Sequence, residues 1–463
     1  MSPISAIILA AGKGTRMKST LPKVLHQANG KAMISYITEA AIQSGVQEIV
    51  LVVGHEAEKV RGVLGEEFSY AMQTPQLGTG HALQCALPAI SSDCQAVLVL
   101  CGDTPLLKET TIIELLAAFS GCDSACTILS TVRKDPAGYG RIIRDHEGQV
   151  VKIVEERDAS EQEKAIQEVN TAIYCFSYPL LLSVINELKN DNKQQEYYLT
   201  DVIGLLTQKG HTVDTFVLED QDEVMGVNDR VQLSYATDVL RRRKNQQLML
   251  DGVSLVDADH TYIEPDVQIG SDTIIEPNTF IRGKTVIGSG CRIGPNCDIS
   301  DSQIGDDCQI IQSMMIGCCV ADKCIIGPFS YMRPGTTLAE GVKIGGFVET
   351  KKAQIGKGSK VPHLSYMGDA EIGEGVNIGC GTITCNYDGY GKYKTIIEDG
   401  AFIGSNTNLI APITIGRNAT VAAGSSIGTD VPEEALAIER ASQANIEGWV
   451  IRKREKMSNE RTD

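Results

Sequence analysis

The chain has 463 residues, 42% of them apolar, and a formal net charge of -17. That length exceeds one ordinary core, so two or three domains are expected, and the acidic balance argues against a nucleic-acid surface while leaving room for acidic small molecules held by a few local cations. No apolar run approaches the roughly 18 residues of a membrane span, and the first residues show neither a basic leader nor a small-residue cleavage site, so no secretory signal is expected.

The apolar run from Ile4 to Ala10 reads as a strand feeding into Gly12-Lys13-Gly14-Thr15-Arg16. Two readings fit this loop. It is a tight turn, or its backbone N–H groups form a nest for an anion, with Arg16 adding a planar multi-donor cation and Lys23 a second charge. The Walker spacing is absent. IVLVVG (49–54), AVLVLCGD (96–103), SACTILSTV (124–132) and HTVDTFVLE (211–219) have strand composition, while AMISYITEAAIQSG (32–45) and TIIELLAAF (111–119) have helical spacing. Such alternation over 4–226 implies a mostly parallel sheet with helices on both faces. Asp103 ends an apolar strand, where open α/β sheets place their ligands; capping the next turn is the plainer alternative. The segment 228–252 reads as a linking helix, its basic cluster Arg241-Arg242-Arg243-Lys244 being too short a signal for nucleic-acid binding.

Beyond Val267 the period changes. Ile-Gly recurs with its isoleucine at 269, 287, 293, 304, 316, 326, 344, 355, 372, 378, 403, 415 and 427, often at spacings near 6, 12 or 18. Neither helix nor simple alternation makes that pattern; a hexapeptide repeat does, with an aliphatic residue pointing inward on each short strand and glycine easing the turn. Roughly nine or ten coils of about 18 residues would fill 252–430 and bury one apolar column. The stretches 328–343, 356–371 and 379–402 interrupt the pattern and are expected to project as loops, where chemistry is normally placed. The 14 cysteines form no pair of CxxC knuckles, and several, including Cys291, Cys297, Cys308, Cys318 and Cys319, lie among the repeats, so they read as reduced thiols filling small core positions. The tail from 431 to 463 loses the repeat; a partly helical segment holding the only tryptophan, Trp449, is expected to pack outside the last coils, and the final NERTD to fray.

The motif LAAGKGTRM (9–17) with LPKVL (21–25) resembles the pyrophosphorylase signature of the sugar nucleotidyltransferases, and QTPQLGTGHA (73–82), CGDTPLL (101–107), GYGRI (138–142), VEE (154–156), EVNTAIY (168–174) and GVNDR (226–230) continue the likeness. The repeat half, with HLSYMGDAEIGEGVNIGCGTITCNYDG (363–389), resembles an acetyltransferase arm. Both halves in this order are similar to the bacterial family of bifunctional N-acetylglucosamine-1-phosphate uridyltransferase / glucosamine-1-phosphate N-acetyltransferases, over essentially residues 4–450.

The resemblance implies an α/β fold: an N-terminal Rossmann-like nucleotidyltransferase domain (1–227), a linker helix (228–251), a C-terminal left-handed parallel β-helix of hexapeptide repeats (252–437) and a tail (438–463). It implies that Leu9, Ala10, Ala11 and Gly12, with Gln73, Gly78, Thr79, Cys101 and Gly102, hold UTP. Arg16 and Lys23 would meet phosphates, Gly140, Glu155 and Asn170 the sugar, and Asp103 with Asn228 would hold Mg²⁺, an ion suited to a few oxygen ligands plus phosphates. Cys101 stands where the family has an aromatic residue.

For the second activity, His363 is implied as general base towards the glucosamine amino group, oriented by Glu349. Arg333 and Lys351 would bind the sugar phosphate and Tyr366 and Asn377 complete that pocket; Cys380, Asn386, Tyr387, Ser405, Ala423 and Arg440 would contact acetyl-CoA. Cys380 replaces the family's usual alanine. A cytoplasmic homotrimer with acetyl-transfer sites between subunits is implied, making UDP-N-acetylglucosamine for peptidoglycan and lipopolysaccharide. A single-function nucleotidyltransferase with a structural β-helix and a non-enzymatic scaffold are the competing readings; the intact His363, Arg333, Lys351 and Asn386-Tyr387 set speaks against the first, and Lys23, Asp103 and Asn228 against the second.

Overall fold

A computed structural model describes residues 3–54 and 56–459, the side chain of residue 459 excepted. The chain divides into two compact units, 1–244 and 245–463.

In the first unit the strands are β1 (Ile4–Leu9), β2 (Glu48–Val53), β3 (Ser69–Met72), β4 (Ala96–Cys101), β5 (Cys126–Val132), β6 (Arg141–Arg144), β7 (Val150–Val154), β8 (Glu168–Ser177) and β9 (Val213–Leu218). The main path runs β9-β5-β8-β4-β1-β2-β3, with the β6–β7 hairpin attached through β8. β1 pairs in parallel with both β2 and β4, while β8 is antiparallel to β4 and β5. The period-2 geometry of these strands divides their apolar residues between two cores. Ile7, Val50, Val52, Val97 and Val99 face one; Ala6, Ile8, Leu51, Leu98 and Leu100 face the other. The helix α1 (Met33–Gln43) covers the second face with Ile34, Ile37 and Ala41, spaced for one helical side. Helix α2 (Ala57–Leu64), helix α3 (Thr79–Ala86) and helix α4 (Glu109–Gly121) bear out the alternating pattern.

The unit boundary falls within one long helix, Arg230–Leu250. Its Leu233, Ala236, Val239 and Leu240 pack with Met33 and Leu106 in the first unit. The basic cluster on it is drawn into internal contacts: Arg241 and Arg242 pair with Asp238 at 2.5 and 3.0 Å, and Arg243 donates to Leu106 O at 2.6 Å.

The second unit is a parallel β-helix of three sheets, 11, 10 and 9 strands deep. Each coil contributes one inward residue per sheet, as with Ile275, Ile293, Ile310, Ile326 and Ile344 along one of them, all buried in a single column. Beside each inward residue, two positions earlier, sits a buried small side chain. Thr273, Cys291, Cys308, Cys324, Val342 and Ser359 occupy that corner in successive coils. The repeat cysteines there are therefore volume fillers interchangeable with threonine, serine and valine, and all 14 cysteines are free.

Three expectations change. Residues 328–343 and 356–371 are regular coil, carrying Tyr331–Met332, Thr337–Leu338, Lys360–His363 and Tyr366–Gly368 in register with their neighbours. Methionine, leucine and valine fill the column there (Met332, Leu338, Val361, Met367), so a pattern read on Ile-Gly breaks while the coil continues. Within 379–402 only the stretch 386–394 leaves the coil. Ile316 also misleads: Met315 points inward and Ile316 is half-buried at the strand end. In the tail, Leu436–Ala437 still adds a strand and Glu439 and Arg440 still bond to the coils, but residues 441–458 are exposed, including Trp449 on the helix Trp449–Asn459. Most of the NERTD segment lies outside the described residues.

Candidate functional site

The opening loop stands at the carboxyl ends of the central parallel strands, where β1, β2 and β4 release their last backbone groups. Ala10 N donates to Val52 O at 2.9 Å and Gly102 N to Leu9 O at 3.0 Å, so the loop departs from a fixed edge. Gly14 is in the left-handed region (φ 57°), and a Cβ there would stand 2.6 Å from Lys23 Cβ. Glycine is needed twice over, for its conformation and so that Lys23 can pass beneath the loop. The cavity under this loop holds about 640 Å³ and is lined by Leu9, Ala10, Ala11, Gly12, Arg16 and Lys23. Gln73, Gly78, Thr79, Cys101 and Asp103 line it too.

Lys23 forms an ion pair with Asp103 and donates to Asn228 Oδ1 at 3.1 Å. Val227 N donates to Asp103 O at 2.8 Å, so the segment carrying Asn228 is strapped to the end of β4. An ammonium here stands in for a metal cation: two hard oxygens, distant in sequence, already converge on one cation position, and an aspartate with an asparagine fits Mg²⁺ once phosphates complete the shell.

The sugar side is equally convergent. A Cβ on Gly140 would meet Glu155 Oε2 at 3.5 Å and Asn170 Cβ at 3.6 Å. Asn170 N donates to Gly140 O at 2.8 Å, and Thr200 Oγ1 donates to Glu155 Oε1 at 3.0 Å. Burial pushes the Glu155 carboxyl up, with Asp201 and Asp158 adding to the effect and Thr200 opposing it. Burial, then the neighbouring Asp103, pushes the Cys101 thiol up to about 12; it donates to Ala172 O at 3.5 Å and acts as packing, not as a nucleophile. The sequence reading missed Gln194 and Glu196, which line the cavity, and Gln76, which donates to Ala11 O. Gln194 and Glu196 come from a polar stretch with no spacing signal, whereas Gln76 lies inside the QTPQLGTGHA motif (73–82).

In the second unit the implied acetyl-transfer residues fall into files along the column. Backbone bonds from Gly381 N to Leu364 O (3.0 Å), Asn406 N to Cys380 O (2.7 Å) and Gly424 N to Ser405 O (2.8 Å) place His363, Cys380, Ser405 and Ala423 at one turn of four successive coils. Neighbours in such a ladder are about 4.8 Å apart. Arg440 donates to Ala423 O at 2.8 Å and extends the file. Asn377 belongs to the same sheet as His363, aligned with Lys360. On the adjoining sheet Glu349 is in register with Tyr366, and Arg333 N bonds Thr350 O at 2.9 Å, which sets Arg333 one coil from Lys351.

His363 is exposed and ends the strand Lys360–His363, on the coil itself rather than in a projecting loop. Glu349 does not reach it: the carboxylate accepts from Arg333 Nη1 at 2.9 Å. The pairing follows from geometry, since Arg333 and Glu349 share a sheet face while His363 lies round the corner. Lys351 is held below the usual lysine range, first by the neighbouring Lys392 side chain and also by Arg333. Three cations thus converge where two were expected. Lys392 belongs to the 386–394 loop, pinned by a bridge between Tyr387 and Lys392 and by Asn386 Nδ2 donating to Asp369 at 2.5 Å.

Residues 6–169 match the MobA-like NTP transferase domain family, and residues 394–429 the bacterial transferase hexapeptide family. The chain is similar to the Bifunctional protein GlmU of Carboxydothermus hydrogenoformans, 54% identical over 447 residues, 96% of this chain and 100% of that protein. It is 50% identical to the GlmU protein of Pelobacter propionicus over 98% of this chain and 100% of that one, and 49% identical to that of Clostridioides difficile over 97% and 98%. Identity at that level, sustained across both units, means that the chain belongs to the family of bifunctional GlmU proteins.

Proposed function

We propose that each unit carries one active site of a two-step route to UDP-N-acetylglucosamine. The chain is a bifunctional transferase: it moves an acetyl group from acetyl-CoA to the 2-amino group of glucosamine-1-phosphate, then a uridylyl group from UTP to the N-acetylated product, releasing pyrophosphate. The observation that carries the residue assignment is the convergence of Lys23, Asp103 and Asn228 beneath the glycine loop.

In the first unit a phosphate oxygen of the sugar attacks the α-phosphorus of UTP, and the bond to the leaving pyrophosphate breaks. Backbone N–H groups of residues 11–16 and the Arg16 guanidinium cradle the phosphates, and Lys23 offsets charge on the transferring group. Asp103 and Asn228 would hold Mg²⁺, which supplies charge neutralisation when bound. Gly140, Glu155 and Asn170 orient the sugar. In the second unit His363 takes the proton from the amino group as nitrogen attacks the thioester carbonyl, and coenzyme A leaves as its thiol. Arg333, Lys351 and Lys392 receive the phosphate; Tyr366 and Asn377 flank the sugar; Cys380, Asn386, Tyr387, Ser405, Ala423 and Arg440 line the acetyl-CoA side.

The homotrimer implied by the resemblance suits this site, because His363 and Lys392 are exposed and Arg333 and Lys351 only half-buried in a single chain. A cytoplasmic setting suits UTP, acetyl-CoA and 14 free thiols; among the described residues no helix is long and apolar enough to cross a membrane.

The test follows free thiol and pyrophosphate separately in the wild type, His363→Ala and Asp103→Ala. Thiol release is expected to fall only in His363→Ala. Pyrophosphate release from N-acetylglucosamine-1-phosphate is expected to fall only in Asp103→Ala. Pyrophosphate without thiol release from the wild type would reduce the β-helix to a scaffold.

A further inference from the structure

His81, on the first turn of α3, has no part in the transfer chemistry, yet it is bonded to a group on the cavity wall. Gln73 is buried, 5% exposed. Its Nε2 donates to Gly78 O at 2.9 Å and lies 3.3 Å from His81 Nδ1. A backbone carbonyl can only accept, which fixes the nitrogen on that side of the amide. His81 Nδ1 therefore accepts the second amide hydrogen, and the ring proton sits on Nε2, 3.7 Å from Cys85 Sγ, a thiol that burial keeps protonated. Both amide hydrogens are then in use. Gln73 Oε1 has no hydrogen-bond partner among the described residues, and it is not one of the buried orphan atoms; Gln73 lines the nucleotide cavity.

We propose that His81 is a positioning residue for base selection: together with the Gly78 carbonyl it locks the Gln73 amide so that Oε1, an acceptor, faces the base. Such a site takes a pyrimidine whose N3 carries a hydrogen, as uracil does, and rejects cytosine, whose N3 is a bare acceptor. Lone pair would face lone pair, and a buried acceptor would stay unpaired. The proposal rests on the reading of this cavity as the UTP site. Removing the His81 acceptor leaves one amide hydrogen without a partner and the amide held by the Gly78 carbonyl alone, so Oε1 swings off the base and cytosine meets less rejection.

The experiment measures pyrophosphate release by the full-length chain with UTP and with CTP, in the wild type, His81→Phe and His81→Asn. Phenylalanine keeps a ring and removes the acceptor; asparagine returns an acceptor close to the Nδ1 position. The expected result is a rise of about tenfold in KM for UTP in His81→Phe with kcat little changed, and a fall of about tenfold in the UTP/CTP ratio of kcat/KM. His81→Asn is expected to recover most of both. An unchanged ratio in His81→Phe, or losses equal for both nucleotides, overturns the proposal and leaves His81 as packing beside the Tyr197 ring, whose centroid is 6.4 Å away. Should His81→Phe not fold, a folded His81→Asn with collapsed discrimination overturns it as well. A wild type that uses neither nucleotide overturns the UTP reading and the proposal together, whereas a wild type that prefers UTP with indifferent variants overturns the proposal alone.

Discussion

Glu155 and Lys392 show how much a side chain's role depends on what surrounds it. Glu155 sits among Gly140, Asn170 and Thr200 with its pKa raised by burial. A carboxyl raised in the folded state costs stability wherever it is charged, above its folded pKa, and the cost fades as pH falls towards the unfolded value. Glu155→Gln is therefore expected to raise the melting temperature at pH 8, with the gain shrinking towards pH 5, while uridylyl transfer weakens. Thermal denaturation across pH checks the first half; a gain that grows on acidification would show that the charge is stabilised instead. Lys392 brings a third cation to Arg333 and Lys351. Lys392→Ala is expected to raise KM for glucosamine-1-phosphate about tenfold with kcat largely kept, as for lost charge-assisted binding to a phosphate. Steady-state thiol release measures it.

The coil is the element on which the second site depends. Ile344 is in register with Ile326 and Val361, in the coil next to the one that ends at His363. Ile344→Ala is expected to cost about 2–5 kcal/mol, the range for truncating a buried aliphatic side chain, and acetyl transfer should fail at a lower temperature than uridylyl transfer. Parallel thermal-inactivation curves for the two activities read this out. The expectation follows from quasi-one-dimensional stacking, in which each coil is held by its neighbours. The same stacking explains why the file His363, Cys380, Ser405 and Ala423 is straight. It also explains the misread interruptions: the coil accepts methionine, leucine or valine in the column, so the Ile-Gly count stops at places where the fold does not.

For the whole molecule, separate cores predict separate responses to ligands. The apolar column of the second unit shares no residue with the two cores flanking the sheet of the first. UTP with Mg²⁺ at about a hundred times its Kd is expected to stabilise the first unit by about 2.7 kcal/mol and to leave the unfolding of the second unmoved, with acetyl-CoA acting the other way. Scanning calorimetry would show two transitions moved one at a time; a single transition shifted by either ligand would mean that the units unfold together.

The two architectures are legible in the sequence because their signals are local, an alternation of strands and helices and a six-residue period; the candidate site residues are read from the family resemblance that short motifs such as LAAGKGTRM carry. Which side chains meet is a matter of the tertiary fold. Lys23, Asp103 and Asn228 lie far apart in the chain and converge because β1, β4 and the strap before the long helix end at one sheet edge. Glu349 turned to Arg333 rather than His363 because sheet register puts residues of one face side by side. Lys392 neighbours Lys351 through a loop that carries no period, and His81 reaches Gln73 inside the QTPQLGTGHA motif by a contact that its spacing does not show.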